Sequence, residues 1–271
     1  MTTSPSTLPD FETIRMEARG AVALLTLNRP ERLNAAPPQM FDEIRAALQH
    51  LPAIGARALL ITGEGRAFCS GADLQGRTSA STESPSARTY RSLTQHYSPA
   101  MQALAMLNIP VITAVNGPAA GIGASLALAA DFVLAGRSAY FLEAFVNIGL
   151  VPDGGATWML ARLVGKARAT EMMMLGERIA ADQAASWGLI YKAVDDAELM
   201  AQALALAERL ARGPTRSLGL MRQGLARALS QSYEETLAME AAHQMLAVSS
   251  ADAQEGSQAF LERRKPVFKG S

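Results

Sequence analysis

Short apolar runs, each closed by glycine or asparagine, constrain the fold of this chain more than any other feature of its sequence. Ala21–Leu27 follows a turn at Arg19-Gly20, Ala58–Thr62 ends in Gly63-Glu64-Gly65, and Val111–Val115 ends at Asn116-Gly117. Apolar runs of this length between turn residues read as strands. Residues 11–28 alternate as a pair of strands, and Pro38, Met40, Phe41, Ile44, Ala47 and Leu48 lie at helical spacing over 38–50. A helix is expected over about 89–107 and a tightly packed small-residue helix over Gly121–Ala130. Asp131–Ala135 and then Ala139–Val146 read as further strands. Strand–turn–helix units thus recur without a sequence repeat, which predicts an α/β core of ββα type over 11–196.

After residue 196 the pattern changes to nearly continuous helix over 197–211, 215–229, 233–247 and 250–264, with Ser249 and Asp252 spaced as a capping box for the last. This region is strongly apolar (Leu199, Met200, Leu204, Leu206, Leu210; Leu218, Leu220, Met221, Leu225, Leu229), so it covers either its own core or a neighbouring subunit. Residues 1–10 read as a disordered tail, since Met1–Pro9 is rich in Ser, Thr and Pro and has neither the basic nor the apolar block of a targeting signal. Residues 75–88 are polar and read as a mobile loop.

Charge balance narrows the function. Lys+Arg and Asp+Glu each total 25, so no basic field exists to recruit nucleic acid or an anionic membrane. Cys69 is the only cysteine, and no apolar stretch reaches a membrane-spanning length, which together predict a cytoplasmic protein. His50, His96 and His243 are scattered without metal-ligand spacing, so no metal site is expected.

Three segments carry candidate chemistry: Ala67-Phe68-Cys69-Ser70-Gly71-Ala72-Asp73-Leu74, Asn116 to Ser125, and Ile148 to Gly155. The first two contain small-residue turns whose backbone N–H groups can converge on one oxygen as an oxyanion hole, a device worth roughly 3–4 kcal/mol per donor. Gly121-Ile122-Gly123 does not read as a nucleotide loop, because Leu126 stands where a third glycine belongs and no Gly-Lys-Ser/Thr follows. The third segment holds a solitary carboxylate, Asp153. Enclosure by Ile148, Leu150 and Val151 is expected to raise its pKa towards that of a useful base; the alternative is a turn aspartate bonding its own loop.

Together these segments resemble the crotonase superfamily, the enoyl-CoA hydratase/isomerase family. The likeness extends to Leu27-Asn28-Arg29-Pro30-Glu31-Arg32-Leu33-Asn34-Ala35, Ala184 to Ile190 and Ala259 to Pro266. It implies a spiral of ββα turns, a helical C-terminal oligomerisation region, and homotrimers or dimers of trimers. It also implies an acyl-CoA substrate, with no cofactor beyond its coenzyme A moiety. The adenine would lie near Ala67, Ser70, Gly71, Ala72, Asp73 and Leu74, and the phosphates near Arg32 and Lys265, the latter from a neighbouring subunit. Matched residue by residue, the oxyanion donors are the backbone N–H groups of Ser70 and Ile122.

The departures from the family pattern point to a reaction. The two glutamates of the family's hydratases fall at Ser125 and Phe145 here, whereas Asp153 occupies the loop position used by isomerases. The stretch Glu143–Trp158 is similar to the ring-epoxide isomerases of phenylacetyl-CoA degradation. Glu143 shares a strand face with Phe145 and is expected in a peripheral ion pair. A single base suffices for a 1,3-proton shift, so the expected activity is an acyl-CoA isomerase. The alternatives are a hydratase using Glu143 with Asp153 and a non-catalytic acyl-CoA-binding or scaffold protein. An aryl-CoA dehalogenase is disfavoured because Ser98 stands where its histidine belongs.

Overall fold

The computed structural model describes residues 9–74, 83–228 and 230–271; the tail residues 1–8 and the segment 75–82 of the expected polar loop lie outside the described residues. The chain opens with β1 (Ile14–Arg19), β2 (Val22–Leu27), α1 (Pro38–His50) and β3 (Ala58–Gly63). Next come α2 (Pro85–Ser92), a π turn over Leu93–Tyr97, α3 (Ser98–Ala105), β4 (Val111–Val115), β5 (Ala119–Ala120) and α4 (Ile122–Leu128). The core closes with β6 (Phe132–Gly136), β7 (Tyr140–Leu142), α5 (Ala156–Leu163), α6 (Gly165–Leu175), β8 (Ile179–Ala180), α7 (Ala181–Ser186) and β9 (Lys192–Val194). The helices α8 (Leu199–Ala211), α9 (Thr215–Ala228), α10 (Tyr233–Val248) and α11 (Ala251–Leu261) follow.

Six strands form the main sheet in the order β1-β2-β3-β4-β6-β9; β1 and β2 pair antiparallel and the rest are parallel. A second sheet, β5-β7-β8, lies beyond their ends. The apolar runs are continuous because both faces of the main sheet are covered. Ala23, Leu25, Leu27, Leu59 and Ile61 join the core under α1, α3 and α4, while Val22, Leu24, Ala58 and Leu60 face the other way. That second face is covered by Leu199, Ala203, Ala207 and Ala211 of α8. The first helix of the C-terminal region therefore covers its own core, whereas α10 has no buried residue.

Several local expectations are corrected. The helix expected from 89 begins at Pro85, because Ser84 caps it by accepting the Ala87 N–H at 3.2 Å, so residues 85–88 are helical and not loop. The expected strand Ala139–Val146 is only Tyr140–Leu142, and a 3₁₀ turn follows at Val146–Ile148. The cap of α11 is Ser250, not Ser249, accepting the Ala253 N–H at 3.1 Å. The Asp252 carboxylate instead holds the N–H groups of Lys269 and Gly270 at 2.6 and 2.8 Å. A full capping box does occur one helix earlier, between Ser232 and Glu235.

Arg222 ties α9 to the core. Its Nε lies 2.8 Å from the Asp131 carboxylate, and its Nη1 donates to the carbonyls of Ala105 and Leu107 at 2.7 and 3.0 Å. Asp131 also accepts the Val111 N–H at 2.8 Å, at the start of β4. The Arg222 side chain is 8% exposed and that of Asp131 28%, so truncation leaves a partly exposed carboxylate and two carbonyls without their donor. Arg222→Ala should destabilise the protein by about 1–3 kcal/mol, read as a lowered urea midpoint; an unchanged midpoint would show that water replaces the guanidinium.

Candidate active site

The site is built where three turns meet. Gly63 closes β3 with no room for a side chain, since a Cβ there would lie 2.3 Å from the Ala67 carbonyl oxygen. Two asparagines clamp the turn that follows. Asn34 is fully buried and donates from Nδ2 to the carbonyls of Glu64 and Ala67 at 2.9 and 2.8 Å. Asn116 accepts the Gly63 N–H at 3.2 Å and donates to the Gly65 carbonyl at 2.8 Å. Asn34 and its neighbour Leu33 both have positive φ, at 54° and 51°, a conformation that asparagine tolerates and leucine does not favour. These clamping residues were not singled out by sequence reasoning; the readable signal was an Asn beside each turn.

The turn so held presses against α4. A Cβ on Gly123 would lie 2.4 Å from the Cys69 carbonyl oxygen, and one on Gly71 would lie 3.2 Å from that of Ala120. Cys69 is buried, and burial pushes its thiol pKa up to about 11, so it is a packing group and not a nucleophile. Ile122 is the first residue of α4, and its N–H has no acceptor among the described residues. Ser70 differs: its N–H donates to the Leu33 carbonyl at 3.0 Å. Of the two donors that the resemblance implies, Ile122 is thus open and Ser70 is engaged.

Asp153 approaches from the other side. Its carbonyl accepts the Ser125 hydroxyl at 2.9 Å, and a Cβ on Gly154 would lie 2.3 Å from Ile122 Cδ1. The loop therefore seats directly on the start of α4. Asp153 is half-buried, with Oδ1 shielded from solvent. The expected enclosure by Ile148, Leu150 and Val151 is corrected: these are 57%, 44% and 80% exposed, because the segment leaves a 3₁₀ turn rather than a strand. Shielding comes instead from the face of α4.

Glu143 is the largest departure from expectation. It is fully buried, forms no ion pair, and neither carboxyl oxygen has a hydrogen-bond partner among the described residues. Burial, and next the charge of Asp153, raise its pKa to about 8. The peripheral ion pair is thus replaced by a dry carboxyl facing the candidate base. Phe145, buried two residues on, sets its ring against Gly121.

The residues expected near the coenzyme A moiety divide. Ser70, Ala72, Asp73 and Leu74 reach the surface, Gly71 is buried in the turn, and Ala67 is buried with its carbonyl held by Asn34. Arg32 is exposed beside them, its carbonyl 3.4 Å from Ser70 Oγ, and Asp73 pairs with Arg29 at 2.9 Å. Lys265 is exposed on a tail anchored where Arg57 Nη1 donates to the Phe268 carbonyl at 3.2 Å. Arg57 precedes β3 and the Ser70 turn follows that strand.

This geometry has counterparts. The enoyl-CoA hydratase/isomerase family model matches residues 17–271. The chain belongs to the enoyl-CoA hydratase/isomerase family. A protein of Rhodobacter capsulatus named "Probable enoyl-CoA hydratase" is 45% identical over 260 residues, covering 96% of this chain and 99% of the relative. The 1,2-epoxyphenylacetyl-CoA isomerase of Escherichia coli is 44% identical over 261 residues, with the same coverage. The crystal structure titled as an enoyl-CoA hydratase subunit from Geobacillus kaustophilus superposes with a TM-score of 0.89 at 34% identity, over 97% of this chain and all of that one. The expected crotonase-like fold with C-terminal helices is therefore the fold of this enzyme, and its relatives carry both isomerase and hydratase names.

The raised pKa of Glu143 has a thermodynamic consequence. Between its ordinary value near 4.5 and about 8, the folded enzyme keeps a proton that the unfolded chain releases, so stability falls as pH rises and levels off above that window. Glu143→Gln removes this slope. Relative to wild type, the variant should gain about 1.4 kcal/mol per pH unit across the window, measured by denaturant unfolding at pH 5 and pH 7; parallel pH dependences would show that Glu143 ionises normally.

Proposed function

We propose that the enzyme moves a double bond, or performs the ring-derived equivalent, in an acyl-CoA thioester by proton transfer through Asp153. One observation carries this reading: the Asp153 loop is seated on the helix start that presents the open Ile122 N–H, while Ser125 and Phe145 fill the positions of the hydratase glutamates. The Asp153 carboxylate takes an acidic proton from the acyl chain, and the electron pair passes to the thioester oxygen as a dienolate. That oxygen is held by the Ile122 N–H and by the Ser70 N–H, which shares its hydrogen between the ligand and Leu33. Protonated Asp153 then returns the proton to the new carbon.

The substrate's coenzyme A lies along the exposed turn at Ser70 and Ala72 to Leu74, with Arg32 towards its phosphates. Lys265, exposed on the C-terminal tail, reaches them from a second copy, as the family resemblance implies. Exposed Leu225 on α9, Tyr233 and Met245 on α10 and Phe260 on α11 support assembly as trimers or dimers of trimers. The 44% identity to an isomerase of a ring epoxide supports a ring-bearing acyl group.

The burial of Glu143 beside Asp153 favours one second reading, in which the two carboxyls add water to a 2-enoyl-CoA. Mass spectrometry separates the two. With a 3-enoyl-CoA, a double-bond shift without mass change is expected, and Asp153→Asn should lower kcat by about 10²–10⁴-fold. Gain of one water from a 2-enoyl-CoA would assign hydration, and an Asp153→Asn variant at wild-type rate would remove Asp153 from either reaction.

A further inference from the structure

The isomerisation described above uses one carboxyl, yet a second is buried nearby, at the turn that opens α4. Packing does not explain it, because an apolar side chain would fill the volume of Glu143 without the desolvation penalty of a carboxyl lacking hydrogen bonds. Its position is well defined. The preceding carbonyl, of Leu142, accepts the Gly121 N–H at 2.8 Å, so Glu143 is fixed next to the turn that opens α4. Asp153 is fixed to the same helix through Ser125 and Gly154. Two carboxyls from separate loops thus converge on one helix start, and Asp153 is the one charged group among the described residues that acts on Glu143.

We propose that Glu143 and Asp153 form a carboxyl pair holding a single proton, with Glu143 neutral and Asp153 ionised, and that Glu143 is the positioning residue that keeps Asp153 a base. Two carboxylates in a dry pocket do not both ionise near neutral pH, and the more deeply buried member keeps the proton. By keeping the proton, Glu143 adds no second negative charge beside Asp153, so the one negative charge of the pair rests on Asp153.

The charge count then stays constant through the reaction. At rest the pocket carries one negative charge, on Asp153. After proton abstraction Asp153 is neutral and the charge is on the thioester oxygen; the Glu143 proton stays in place. If Glu143 ionises, the dienolate must form against an additional anion, so the rate falls. This kinetic consequence rests on the isomerase reading, whereas the shared proton itself does not.

The test has two arms on the whole enzyme. Infrared difference spectra should show a protonated carboxyl at pH 7 that is missing in Glu143→Gln and that titrates at lower pH in Asp153→Asn than in wild type. In the second arm, wild-type kcat/KM on a 3-enoyl-CoA should fall about tenfold per pH unit above the ionisation of Glu143. Glu143→Gln and Glu143→Leu, both uncharged, should lose that alkaline fall. A spectrum without the band, or a band indifferent to Asp153→Asn, overturns the pair. An unchanged alkaline limb in Glu143→Gln overturns the positioning role. The expected band in an enzyme that moves no double bond upholds the pair and overturns the isomerase reading instead.

Discussion

The seat of the 153–154 loop on the first turn of α4 is the constraint on which the site depends. Gly154 can approach Ile122 and Ser125 so closely because it has no side chain, and its φ of 62° is one that glycine adopts without strain. On the opposite side of the same helix start, Gly123 lets the Cys69 strand pass at a distance no Cβ would permit. The helix is thus gripped between two backbone segments, one carrying the Ser70 turn and the other the carboxylate. Each grip fixes a candidate reacting group by main-chain contact, which leaves little freedom for rotamers to blur the geometry.

This rigidity places electrostatic stress where the chemistry is. A buried Glu143 without hydrogen bonds and with a like-charged neighbour is a poor contributor to stability at neutral pH, and the fold around it is correspondingly over-determined. Asn34 supplies part of that surplus, with one side chain binding a backbone N–H and two carbonyls on segments thirty residues apart. Arg222 supplies another part by joining α9, β4 and the end of α3. Polar side chains satisfied by backbone groups thereby compensate for a carboxyl that is not.

Much of this was legible in the sequence, and the misses have specific causes. The apolar runs marked the strands of the main sheet because burial on both faces removes polar alternation. Asp153 and the Ile122 turn were legible because their loops carry glycines that only close backbone approach explains. Glu143 was read on a strand face shared with Phe145, but β7 ends at Leu142 and the chain turns at once, which carries the carboxyl inward, whereas a charged residue near a strand end ordinarily reaches water. Ile148, Leu150 and Val151 failed for the converse reason: apolar character was taken as enclosure, whereas a 3₁₀ turn presents them outward. The Leu33 carbonyl on the Ser70 N–H was beyond reach, because it depends on two consecutive positive φ angles, one of them at a leucine.

That last contact bears on how the oxyanion hole works. A hydrogen-bond donor aimed at developing charge is most effective when it need not reorganise, and an engaged N–H loses part of this advantage. Ile122 carries no such debt, since the first N–H of a helix has no acceptor within the helix. In the proposed reaction the two donors are therefore unequal, and Ile122 would bear the larger share of the dienolate charge. It is also the residue whose side chain meets Gly154, directly beside Asp153. The proposed proton acceptor and the stronger of the two proposed donors are thus held by a single packing contact, which is the arrangement that a reaction moving one proton past one oxygen would require.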